Sequence, residues 1–233
     1  MLNIMEKKRN DDSSWISMSD MMTGLMLVFL FLSILNINQV QNKVKAVEKF
    51  DQTRNEIFNE LTTAFKDKYA EWDMVISQDL SIKFDDPDML FEYRSSELTE
   101  KYKIILSEFL PIYINIINKD KYSNNIKEIR IEGHTAKWDD YNYTINLSQD
   151  RANAVLFYLL SSTYYKNDLE QKDRDKLKFW FTANGLGNGR AIDSNGEFVY
   201  ESKNEIDKKS RRVEFRIVTT SDELIKEILE INK

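Results

Sequence analysis

From Ile16 to Ile37 the chain runs for 22 residues with one charged side chain, Asp20. As a helix rising 1.5 Å per residue, this run spans the roughly 30 Å of a bilayer's hydrocarbon. Lys7, Lys8 and Arg9 precede it as the basic region of a secretory signal would, but it ends in SILNINQV, without the small-residue pattern that a signal peptidase cleaves. The expected element is therefore an uncleaved anchor, with residues 1–15 as a cytoplasmic tail and 16–37 as a single transmembrane helix. Lys43, Lys45 and Lys49 on the far side match the three basic residues on the near side, so charge counting leaves the orientation tied. Length decides it: a short tail stays in the cytoplasm more easily than a folded domain that must be secreted through the same anchor.

Asp20 lies about one turn inside that helix. An ionised carboxylate at the centre of a membrane helix costs about 2.5–3.5 kcal/mol, and somewhat less near the edge, so such a residue usually faces protein or water. Helical spacing puts Ser17, Thr23, Gly24 and Leu27 on the same face, a small and polar stripe that a partner helix can approach closely. Two readings stand side by side. Ser19 and Asp20 are good helix-capping types, and a helix N-terminus favours negative charge. Alternatively Asp20, with Ser17 and Thr23, is the protonatable group of a proton path.

The remaining composition narrows the function by exclusion. A net charge of −6 offers no basic face for DNA or RNA, so no nucleic-acid partner is expected. Zero cysteines remove disulfides, thiolate metal sites and cysteine nucleophiles, and one histidine speaks against a histidine-based metal site or catalytic triad. No metal and no catalytic residues are expected. A wall-modifying enzyme would need paired carboxylates, and no such pair stands out among 39 acidic residues.

Beyond the anchor, residues 38–75 contain neither glycine nor proline and read as a helical stalk. Val40, Val44, Val47, Phe58, Leu61, Phe65 and Trp72 form a stripe interrupted by Asp51 and Arg54, open to two readings: a two-helix coiled coil, or packing against the following domain. Residues 76–222 read as an α+β domain. DLSIKF alternates as a strand does, Leu98 to Ile117 is apolar at helical period, and Ile129 to Gly133 is a second strand. LSQDRANAVLFYLLSS makes a second helix, and FWFTANGLG and RRVEFRIVT a third and a fourth strand, giving the order βαβαββ. Residues 223–233 read as a C-terminal helical tail. Gly187 and Gly189 fall in a long polar loop and do not open a helix, which argues against a nucleotide-binding glycine loop.

IRIEGHT at 129–135, NLSQDRANAVLFYL at 146–159, ANGLGNGRAI at 183–192 and SRRVEFRI at 210–217 together resemble, in order, the motifs of the OmpA-like peptidoglycan-binding domain. With the membrane helix bearing SDMMTGLMLVF, the whole chain resembles MotB-type stator subunits. Its WISMSD run at the entry to the membrane and its GHT followed by a polar, Trp-containing loop are similar to the B subunits of Zorya antiphage systems. The resemblance implies that Arg151, the arginine of LSxxRA, grips a carboxylate of the wall's peptide stem, for which a planar, permanently charged guanidinium is suited. Two positions depart from the pattern. Ala136 replaces the usual aspartate, leaving Asp139 or Asp140 to meet the ligand's ammonium group, and Thr144 replaces the motif asparagine, with Asn142 and Asn146 close by. Thr135, Tyr143, Leu147 and Arg212 complete the expected peptidoglycan-binding set, with Leu147 and Ser148 positioning the helix start. Arg212 is preferred to Arg211 at the cleft, and Trp138, Tyr141 and Tyr143 form an aromatic rim or simply pack the loop. His134 is expected to close the strand end by hydrogen bonding.

The same resemblance implies a homodimer in the bacterial inner membrane, with a periplasmic C-terminal domain and peptidoglycan and a multi-span ZorA/MotA-like subunit, a pentameric ring, as partners. It implies a proton as the translocated ion, no cofactor and no enzymatic activity. Two alternatives remain at this stage: a flagellar-type stator, or a purely structural membrane-tethered wall anchor.

Overall fold

The computed structural model describes residues 2–92, 94–136 and 140–220. Asp139, Trp138 and the expected tail at 223–233 lie outside these, as does the side chain of Ser17. The chain divides into two compact units, Met1–Lys49 and Phe50–Lys233.

The first unit is helical throughout its described residues, within helix α1, Leu2–Ala64. Its segment Met18–Gln41 is long and apolar enough to cross a membrane, and none of it is buried. The window therefore starts two residues later than the expected 16–37 and runs four further. Leu25, Phe29 and Phe31 are among the apolar side chains exposed on all sides of the helix. A helix that is apolar all round and buries nothing within its own chain belongs in lipid or against another helix. Asp20 is exposed near its start, Gly24 has open space around it, and the Thr23 hydroxyl donates to the Ser19 carbonyl at 2.9 Å, four residues back.

The second unit is a five-stranded sheet with helices against one face. After the end of α1 and a run of turns come β1 (Met74–Ile76), β2 (Ser81–Phe84), a short α2 (Pro87–Leu90), α3 (Glu100–Ile117), a single-turn α4 (Asp120–Ser123), β3 (Ile126–Gly133) and α5 (Tyr141–Ser161). A π-helical turn, α6 (Gln171–Trp180), β4 (Phe181–Gly185), α7 (Val199–Ser202) and β5 (Val213–Thr219) complete it. The spatial order is β1-β2-β5-β3-β4, antiparallel except for the parallel pair β3–β4 that α5 and α6 connect. Period-two alternation turns Val213, Phe215 and Ile217 of β5 into the core and sends Glu214 and Arg216 to the opposite face. Beneath the sheet, Phe65, Phe84, Phe109, Tyr113 and Phe215 interlock with ring centroids 5.1–6.2 Å apart.

Two expectations are corrected. Residues 50–75 belong to the second unit and not to a separate stalk. Ile57, Leu61, Phe65 and Trp72 are fully buried in its core, so the apolar stripe from Phe58 to Trp72 is satisfied by packing against the domain while Val40 and Val44 stay exposed, and α1 ends at Ala64. The expected third strand loses Phe179 and Trp180 to the end of α6, a helix that buries only Leu177 and Trp180 and leaves Phe179 exposed. The loop after β4 is folded back on itself. Asp193 Oδ1 accepts the backbone N–H groups of Asn195 and Glu197, and its Oδ2 accepts the Asn204 amide.

Candidate functional site

The head of α5 lies across the ends of β3 and β4. Asp140 caps it, accepting the Asn142 N–H at 2.9 Å. Farther along, α5 approaches the two strands so closely that neither can carry a side chain where they meet. A Cβ on Gly133 would fall 2.1 Å from the Ser148 carbonyl oxygen, and one on Gly185 2.4 Å from the Gln149 nitrogen. Polar bonds fix the register. The Ser148 hydroxyl accepts the Gly187 N–H at 2.8 Å, Gln149 accepts from Gly185 N–H at 2.8 Å and donates to the Ala183 carbonyl at 3.0 Å, and Thr135 N–H donates to the Gly187 carbonyl at 2.9 Å.

Several of the expected ligand contacts lie within this framework. Thr135, Thr144 and Leu147 are buried, and the Thr144 hydroxyl donates to the Tyr141 carbonyl at 2.8 Å, as a residue wedged into the helix start must. Arg212 is also withdrawn from the cleft. Only 3% exposed, it sets its Nε 2.6 Å from Glu214 Oε1, on the sheet face opposite the helices. The charge of Arg211, the preceding residue, acts on Arg151. Arg212 takes its place opposite the helices because the strand begins at Val213. Extending its alternation back by one residue puts Arg212 in line with Glu214, which is the signal that would have identified it. Asp140 is exposed and occupied as the cap, and Ala136 offers no polar group.

Arg151 is where the elements converge. It lies three turns into α5, yet its side chain reaches the segment between α2 and α3. Its Nε donates to the Ser95 carbonyl at 2.9 Å and its guanidinium stands 4.8 Å from the centre of the Phe91 ring. Tyr143, half-buried, lies close by with the Arg94 guanidinium 5.9 Å from its ring centre. Burial above all, and then the Arg211 charge, push the Arg151 guanidinium down to about 10, partly countered by Tyr143. It remains a cation at neutral pH. Among the described residues no carboxylate pairs with it, and neither Nη group has a hydrogen-bond partner. A charge with so little access to water and no counter-ion among the described residues is set up to take an anion from outside, and its planar Nη pair matches the two oxygens of a carboxylate.

Comparison with known proteins gives this arrangement a context. The OmpA family model matches residues 90–205. Zorya protein ZorB of Escherichia coli Crooks is 36% identical, covering 96% of this chain and 95% of its own length. Zorya protein ZorB of Escherichia coli O139:H28 is 23% identical over 91% of this chain and 84% of its own length. Among solved structures, the periplasmic domain of Helicobacter pylori MotB is similar with 17% identity and a TM-score of 0.39, covering 65% of this chain and 92% of that one. With 36% identity along nearly its whole length and an OmpA-like domain in its second unit, the chain belongs to the ZorB family of Zorya proteins.

Proposed function

We propose that this protein is the peptidoglycan-anchored subunit of an inner-membrane, proton-driven motor complex serving antiphage defence, and a structural component, not an enzyme. Residues 1–15 lie in the cytoplasm, the apolar helix crosses the membrane and the OmpA-like unit stands in the periplasm. Two copies place their membrane helices within a pentameric ring of a multi-span ZorA/MotA-like partner, each presenting Asp20 to a proton path along the interface. Protonation neutralises Asp20 and changes which partner groups it prefers. A proton crossing about 100 mV supplies about 2.3 kcal/mol, enough to move a two-state interface and so to step the ring around the anchored pair. Arg151 holds the domain to the wall by a carboxylate of the peptide stem, with Tyr143 and Arg211 beside it.

The observation that carries this reading is the position of Asp20: an exposed carboxylate near the start of an apolar helix that its own chain does not cover. Co-purification with the neighbouring multi-span protein, followed by proton flux in vesicles, tests it. Flux is expected to require both proteins and to vanish in Asp20→Asn. Flux that survives the substitution would make Asp20 a helix cap and leave a tethered wall anchor.

A further inference from the structure

On the sheet face opposite the helices, β3 and β5 pair Glu132 directly with Glu214, and the ladder continues through the His134 N–H to the Arg212 carbonyl at 3.0 Å. The His134 side chain therefore falls between the two carboxylates, its Nε2 3.7 Å from Glu132 Oε2 and 3.6 Å from Glu214 Oε1. All three residues are at most 2% exposed. Among the described residues neither imidazole nitrogen has a hydrogen-bond partner, and neither does Glu132 Oε2. Buried polar atoms are almost always satisfied, so two orphans that face each other, His134 Nε2 and Glu132 Oε2, with Glu214 Oε1 beside them, call for a species that meets them.

Their spacing says what kind. Atoms bound at about 2.0–2.2 Å to one ion lie somewhat under 4 Å apart, and one atom from each of the three residues lies within 4.8 Å of the others. Arg216 already holds the outer oxygens, with Nη2 3.1 Å from Glu214 Oε2 and Nε 3.5 Å from Glu132 Oε1, which turns the inner oxygens toward His134. Arg212 uses one lone pair of Glu214 Oε1 and leaves the second. We propose that Glu132, His134 and Glu214 form a binding site for a first-row divalent cation, zinc foremost, that ties β3 to β5. An imidazole with two carboxylates is a donor set that zinc accepts. The nearby arginine charges make the site weaker than one built from the same ligands alone.

Untagged full-length protein in detergent, stripped with EDTA and titrated with zinc chloride by calorimetry, tests this. Because the chain has one histidine, cobalt chloride supplies a spectroscopic report of the same site and the imidazole NMR signals a direct one. One ion per chain, a zinc-induced rise in melting temperature and visible cobalt bands are expected. His134→Gln and the near-isosteric Glu132→Gln should each weaken binding by more than the roughly 10- to 100-fold that loss of an outer-shell partner costs. Unchanged imidazole signals in the wild type on adding zinc would overturn the proposal, whether or not the variants fold, as would stoichiometric binding that both folded variants retain. Wall binding by Arg151 does not enter any of these readouts.

Discussion

Arg151 is a cation kept where water barely reaches. In the proposed wall contact, a docked carboxylate would form two charge-assisted hydrogen bonds in a poorly solvated site, each worth about 1.5–3 kcal/mol. Arg151→Ala is therefore expected to lower affinity for purified peptidoglycan by at least about 10-fold in a pelleting assay, with the far-UV circular dichroism unchanged. Arg151→Lys should fare little better, since a point charge keeps the attraction and loses the fork. The LSxxRA motif made this residue legible, because the motif is local in sequence. The partners that tune it were harder to see. Arg211 and Arg212 differ only in which side of a strand end they face, and the Ser95 carbonyl comes from 56 residues away. No local pattern encodes either.

At the scale of elements, the seam between α5 and the strands depends on the missing side chains of Gly133 and Gly185. Both have backbone conformations open to any residue, so the requirement is one of space alone. In Gly133→Ala the methyl would meet backbone, which cannot swing aside as a side chain could. The expected loss is about 3 kcal/mol, at the upper end for overpacking, read as a fall in thermal midpoint together with weaker wall binding as α5 lifts. A second seam is electrostatic. Glu60, near the end of α1, meets Lys119 and Lys121 at 2.6 Å and the Tyr122 hydroxyl at 2.8 Å. Burial alone would raise its carboxyl, but these donors more than offset it and hold it at about 2. The unfolded chain, with an ordinary carboxyl near ~4.3, binds the proton more readily. This contribution to stability is thus complete above about pH 5 and lost as the pH falls through about 2. Glu60→Gln should flatten that part of an acid-unfolding curve and leave the neutral-pH slope alone. Long apolar elements such as α3 and α5 were readable from their period. Helix α6 was not, because two buried residues among many charges leave no period to read, and β1, three residues long, is a strand only because β2 pairs with it.

For the whole molecule, the boundary between anchor and domain matters most. A stalk ending at residue 75 was the natural reading of a run without glycine or proline, since a helical stripe looks the same whether it meets a second helix or a sheet. The core decides between them by claiming Ile57, Leu61, Phe65 and Trp72. Removing one such side chain typically costs 2–5 kcal/mol, and a domain holds only 5–15 kcal/mol in total. A fragment of residues 76–222 is therefore expected to show no cooperative thermal transition by circular dichroism, whereas one of residues 50–222 should melt sharply. The same arrangement settles how the domain responds to mechanical load. A tether is only as stiff as its joint, and here the final turns of α1 are themselves part of the domain's interior. A pull arriving at Phe50 is met within about two turns by Ile57, and then by the Glu60 tie, Leu61 and Phe65, all of them contacts of the domain's own interior. Load on the chain is thereby carried into the core by residues that belong to the core.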